Sequence, residues 1–175
     1  MIGLMLLGAC GPGSLEFQGA ERLLRSAWIL EESSSGEALL LLSNNALPCR
    51  LSQTDDPTEI LLETQEISHA RSRERSLLLW ATLDPESAPG HQVVSLHGYE
   101  VTEAERMWTD GLIANYRPIE TVDYLTAAEL QIDSRSNSHW TGSLTALDPM
   151  VEAHFRADLC QSEEVFQILG LIGID

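Results

Sequence analysis

Apolar and polar positions change their beat several times along this chain. Leu15 to Phe17 begins a strand, and RLLRSAWIL (Arg22 to Leu30) runs into the turn-rich ESSSGE. EALLLLS (Glu37 to Ser43) is a short apolar run bounded by turn residues, which suits a strand buried on both faces, although leucine is a weaker strand former than valine or isoleucine. Asn44, Asn45 and Pro48 then break the pattern. In DDPTEILLETQEISHARSRER, Asp56 can cap a helix whose first residue is Pro57, and Glu59 completes a capping box. Ile60, Leu61, Thr64 and Ile67 form a thin stripe, and Glu59, Glu63 and Glu66 precede Arg71, Arg73 and Arg75, an order that complements the helix dipole. One amphipathic helix over about residues 57–73, laid on a sheet, is expected.

The second half reads as strands. SLLLWATL (Ser76 to Leu83) is followed by the loop DPESAPG, and QVVSLHGYEVTE alternates around Gly98, where a bulge or bend is expected. Residues 104–123 carry no clear period. From Leu125 the segments LTAAELQID, WTGSLTALD and VEAHFRADLC are separated by the turns SRSNSH and Asp148-Pro149. Ser162, Glu163 and Glu164 open a short C-terminal helix through Leu169, unless VFQILGLIGI is a last strand. The fold class is therefore mainly β: an antiparallel β-sandwich or barrel-like meander over residues 15–175, with one helix and a second, short one as an option.

Composition sharpens this only in its charge. The 175 residues suit one domain, and ten basic residues against 27 acidic ones give −17, all ten being arginine. Such a surface repels phosphate backbones and anionic headgroups at long range, so nucleic acid is excluded as a partner.

The chain opens MIGLMLLGACGPGS. Met1 to Ala9 is uncharged and would extend roughly 14 Å as a helix, too short for a hydrocarbon core of about 30 Å, so it reads as an export signal rather than a membrane span. Leu7-Gly8-Ala9-Cys10 resembles the lipobox of bacterial lipoproteins, in which the cysteine thiol receives a diacylglycerol, cleavage falls just before it and the new amino terminus is acylated. The resemblance implies a signal peptide over residues 1–9, Cys10 as the lipid-bearing (palmitate-type) residue of the mature chain, and Gly11 to Ser14 as a flexible tether. The family's Lys or Arg before the apolar run is missing here, which points to a start upstream of Met1. Gly11 after the cysteine resembles proteins sent to the outer membrane of a two-membrane bacterium. One acyl chain binds reversibly, whereas two or three hold firmly.

Setting Cys10 aside leaves Cys49 and Cys160, an even pair in an exported context, and a disulfide between them is expected. Its stabilisation is about 5 kcal/mol in the chain-entropy picture. The alternative is two buried free thiols.

Gly142-Ser143-Leu144 followed by Phe155-Arg156-Ala157-Asp158-Leu159-Cys160 resembles a pattern of uncharacterised exported β-domains, which implies an antiparallel sheet and no chemistry. No Gly-rich phosphate loop, G-x-S-x-G or H-E-x-x-H occurs. Asp133 to His139 has the alternate spacing of a calcium loop, but Arg135 stands where an oxygen ligand is needed, so a hairpin turn is the better reading. Calcium bound by carboxylates from separate loops stays open, and no other cofactor is implied. His97 and His139 with Asp133 are the residues from which an acid–base or metal site would be assembled, and Trp108 and Trp140, beside turns, are the aromatics to test for exposure as a binding face. Trp28 and Trp80 are assigned to the core. The sequence thus describes a lipid-anchored envelope protein with a non-catalytic binding or structural role towards a protein or carbohydrate at the cell surface or in the periplasm. The alternative is an exported hydrolase or calcium-dependent carbohydrate-active protein.

Overall fold

The computed structural model describes residues 12–31, 37–47, 73, 75–109 and 113–160, of which 107–109 and 113–116 are described by their backbone alone. Among the described residues nine strands follow in chain order: β1 (Gly13–Phe17), β2 (Ala20–Arg22), β3 (Ser26–Glu31), β4 (Ala38–Ser43), β5 (Leu77–Leu83), β6 (Gly90–Thr109), β7 (Ile113–Arg135), β8 (His139–Leu147) and β9 (Met150–Cys160). Hydrogen bonding runs β9-β3-β4-β5-β6-β7-β8 and returns from β8 to β9, closing a seven-stranded barrel, with β1 and β2 added along β9. Of the two architectures expected, the barrel is the one adopted. All neighbours are antiparallel except β3 and β9, which run parallel over Trp28–Asp158 to Leu30–Cys160. The expected helix over 57–73, the C-terminal segment, Cys10 and Cys49 lie outside the described residues.

Alternation dictates the wall. Along β8 and β9, Trp140, Leu144, Ala146, Val151, Ala153, Phe155 and Ala157 turn inward, while Thr145, Glu152, His154, Arg156 and Asp158 face out. This polarity is opposite to that of a membrane-spanning barrel, whose outer band is apolar. Twenty-four buried side chains, among them Phe17, Leu40, Leu79, Leu130 and Trp140, fill the interior as one cluster. The β3-β4-β5 segment is buried on its outer face too, where Trp28, Leu30, Leu39, Leu41, Leu78 and Cys160 form a second cluster. Double-sided burial explains why β4 is a leucine run: neither face needs polar residues.

Three local expectations are corrected. Gly98 does not mark a bulge; it pairs in register with Leu79 and Tyr124, and a Cβ there would stand 3.0 Å from Leu79 and 3.3 Å from the Tyr124 ring. The irregularity falls instead between Val101 and Ala104. Gly13 and Ser14, expected in the tether, are strand residues paired with Phe155 and His154, and the Arg156 amide donates to the Pro12 carbonyl at 2.6 Å. Within the unreadable stretch 104–123, residues 104–109 and 113–123 form a two-stranded ribbon: β6 and β7 pair from Gly90–Ile132 to Thr109–Ile113, well past the point where β5 and β8 accompany them. The part beyond Val101 projects about 25 Å.

Each barrel end carries an arginine in an ion pair. At one end Arg22 meets Glu100 at 2.9 Å, and the Tyr124 hydroxyl donates to the other Glu100 oxygen at 3.0 Å while its ring stands edge-on to Phe17. At the other, Arg135 donates to Glu31 at 3.0 Å and to the Pro85 carbonyl at 2.8 Å, with its guanidinium 4.7 Å from the Trp140 ring centroid.

Tyr124 makes the first end sensitive to alkali. Burial first, then its hydrogen bond to Glu100, holds its phenol above the ordinary pKa of 10.0. The folded state therefore retains this proton more tightly, and the associated stability, complete below pH 10, is lost as pH rises through the folded value. Urea midpoints measured from pH 9 upward are expected to fall beyond pH 10 in the wild type and to fall less steeply in Tyr124→Phe. Equal slopes would remove Tyr124 as the cause.

Candidate functional site

The sequence-selected residues do not converge. His97, on β6, pairs with Leu125 and stacks on Trp80 with ring centroids 5.4 Å apart and planes at 17°. Asp133 lies eight residues further along β7, in its irregularity opposite β8, hence about 27 Å away along the strand. His139 opens β8, where its Nδ1 stands 3.2 Å from the Ser136 hydroxyl and 3.1 Å from that of Ser138; these contacts close the β7–β8 hairpin. Trp140 is the main correction. Singled out as an aromatic to test for exposure as a binding face, it is 0% exposed inside the barrel, because β8 alternates and position 140 falls on the inward beat. Of Trp108 only the backbone position, opposite Ala114 in the ribbon, is described. Trp28 is in the core as expected, whereas Trp80 is only half-buried. Among the described residues no group of three or more His, Cys, Asp or Glu is gathered for a metal ion.

What the fold does bring together is a groove of about 350 Å³ on the outer wall beside β9, lined by Pro12, Arg25, Trp28, Leu47, Arg156 and Asp158 among others. It sits where one edge of β9 changes neighbours, from antiparallel β1 up to Phe155 to parallel β3 from Asp158 onward. Two chain segments leave and enter there, and the wall between them is indented.

The groove is held by specific contacts. Ser26, buried at the start of β3, donates its hydroxyl to the Asn45 carbonyl at 2.8 Å and accepts from the Leu47 amide at 2.7 Å, so residues 45–47 stand as one wall. The Arg25 amide donates to the Ser43 carbonyl at 2.9 Å, and the Pro12 carbonyl accepts from Arg156 opposite. Arg156 and Asp158 occupy alternate outward positions of β9, so both side chains face this side. In register, Asp158 also lies between Trp28 of β3 and His139 of β8.

Sequence reasoning missed Arg25 and Arg156. The outward beat of HFRAD was legible, but the two arginines stand far apart in the chain and meet only through the parallel β3–β9 contact, which no local pattern announces. No protein-family model, curated protein or solved structure matches this chain, so the groove is read from its own geometry.

Proposed function

We propose that this is a lipid-anchored envelope protein, acylated at Cys10 after removal of residues 1–9, whose barrel is a non-catalytic binding module using the groove beside β9. The observation that carries the reading is the position of the first strand. β1 begins at Gly13, three residues after Cys10, so cleavage before Cys10 removes no described strand and leaves the barrel directly behind its anchor. The polar outer face of β8 and β9 suits a domain carried in water beside a membrane rather than within it. Gly11 after the acylated cysteine favours the outer membrane. A Cys49–Cys160 bridge belongs to the same exported setting; in its favour, Cys160 is buried, at 2% exposed.

Binding is preferred over hydrolysis because His97 and Asp133 stand about 27 Å apart along the sheet, whereas the groove gathers charged groups against an apolar wall. The test is expression with the full upstream sequence, followed by membrane fractionation and intact mass. The wild type is expected in the membrane fraction with the mass of a triacylated chain beginning at Cys10, and Cys10→Ser in the soluble fraction without that addition. Equal release of both proteins would overturn the anchor.

A further inference from the structure

The arginines of this chain can be accounted for nearly one by one. Arg22, Arg117 and Arg135 form ion pairs with Glu100, Glu105 and Glu31. Arg73, Arg75 and Arg106 are also engaged. Of the eight described arginines this leaves Arg25 and Arg156, whose guanidiniums have no side-chain partner among the described residues, and both line the same groove. With 27 acidic residues against ten arginines, an unpaired guanidinium is the exception, and two in one groove is an arrangement. Asp158 lines the groove as well and forms an ion pair with neither.

Three unneutralised charges, two positive and one negative, therefore surround an indentation walled by Trp28 and Leu47. Guanidinium forks match oxyanions, and a carboxylate is an acceptor only. A single arginine satisfies the two coplanar oxygens of a carboxylate, whereas two arginines, one just before β3 and one on β9, suit the tetrahedrally disposed terminal oxygens of a phosphate, three in a monoester and two in a diester. A bare phosphate would gain these contacts but face Asp158 and the repulsion of a −17 protein. A phosphate that carries its own ammonium lessens both, since the ammonium meets Asp158 and offsets one of the phosphate's negative charges.

We propose that the groove binds a phosphate bearing an ammonium group, of the phosphoethanolamine class, with the phosphate on Arg25 and Arg156, the ammonium on Asp158 and the connecting methylenes against Trp28 and Leu47. This rests on reading the groove as a binding site and is independent of the lipid at Cys10. The ligand chemistry has two sources, a free phosphomonoester and the headgroup of a phosphatidylethanolamine bilayer.

The experiment uses the full chain carrying Cys10→Ser, so that the anchor contributes nothing. Calorimetric titration with phosphoethanolamine and with inorganic phosphate is expected to show the former bound at least about tenfold more tightly, and Arg25→Gln or Arg156→Gln to weaken it about tenfold each. Asp158→Asn is expected to weaken phosphoethanolamine and strengthen phosphate, bringing the two together. Because all three side chains are exposed, unchanged thermal unfolding should accompany these losses. Co-sedimentation with phosphatidylethanolamine vesicles, competed by soluble phosphoethanolamine, assigns the headgroup as the source; binding of the soluble compound alone assigns the free ligand. Absence of binding to both, equal affinity for both anions in the wild type, or insensitivity to the arginine substitutions would overturn the inference and leave the fractionation result for Cys10 untouched.

Discussion

Truncating Trp140 to alanine is expected to lower the unfolding free energy by about 3–5 kcal/mol, the range for removing a fully buried large aromatic. Three observations place this residue at that level. It is 0% exposed within the interior cluster, its ring supports the Arg135 guanidinium at 4.7 Å, and Arg135 in turn joins Glu31 to the Pro85 carbonyl. The alanine protein loses the packing and the platform beneath that cation. Trp140→Phe separates the two roles: it keeps most of the volume and removes an indole N–H that has no hydrogen-bond partner, so its loss should be no more than about 2 kcal/mol. Urea unfolding of both variants checks the pair. A Trp140→Ala cost below about 1 kcal/mol would mean that the barrel end collapses around the vacancy.

The second large effect lies at the opposite end. Glu100 is 6% exposed and takes Arg22 on one oxygen and the Tyr124 hydroxyl on the other. Arg22→Met leaves a carboxylate buried without its cation, a change that typically costs about 3–5 kcal/mol; the 20% exposure of the Arg22 side chain puts the expected value near the lower bound. The double variant Arg22→Met with Glu100→Leu removes both charges and should recover to within about 1 kcal/mol of the wild type, because the desolvation cost disappears together with the attraction. Additive losses in this double-mutant cycle would show that the two side chains act separately.

The two ends also show what local pattern could reveal. The strands of the barrel wall were legible wherever one face is wet, as in WTGSLTALD and VEAHFRADLC, or where both are dry, as in EALLLLS. Closure was not legible, since β8 meeting β9 is a short hairpin in either a sandwich or a barrel, and only the parallel return of β3 along β9 distinguishes them. Stretch 104–123 defeated the reading for a physical reason: none of its described side chains, at 104–106 and 117–123, is buried, so no core face imposes a period of two there. The candidate site failed similarly. Histidines and tryptophans drew attention by chemical type, while the groove depends on Arg25 and Arg156, ordinary residues made unusual by what they lack nearby.

The ribbon also presents edges to the surroundings. Past Val101 neither of its long borders is laddered to a further described strand, and a bare border of this kind can recruit a neighbouring chain into a growing stack. Pro118 withholds one amide from that process, and the facing pair Glu103 and Glu120 concentrates like charge on the stem. Glu103 and Glu120 then act as a fence, keeping two ribbons from lying side by side long enough to join.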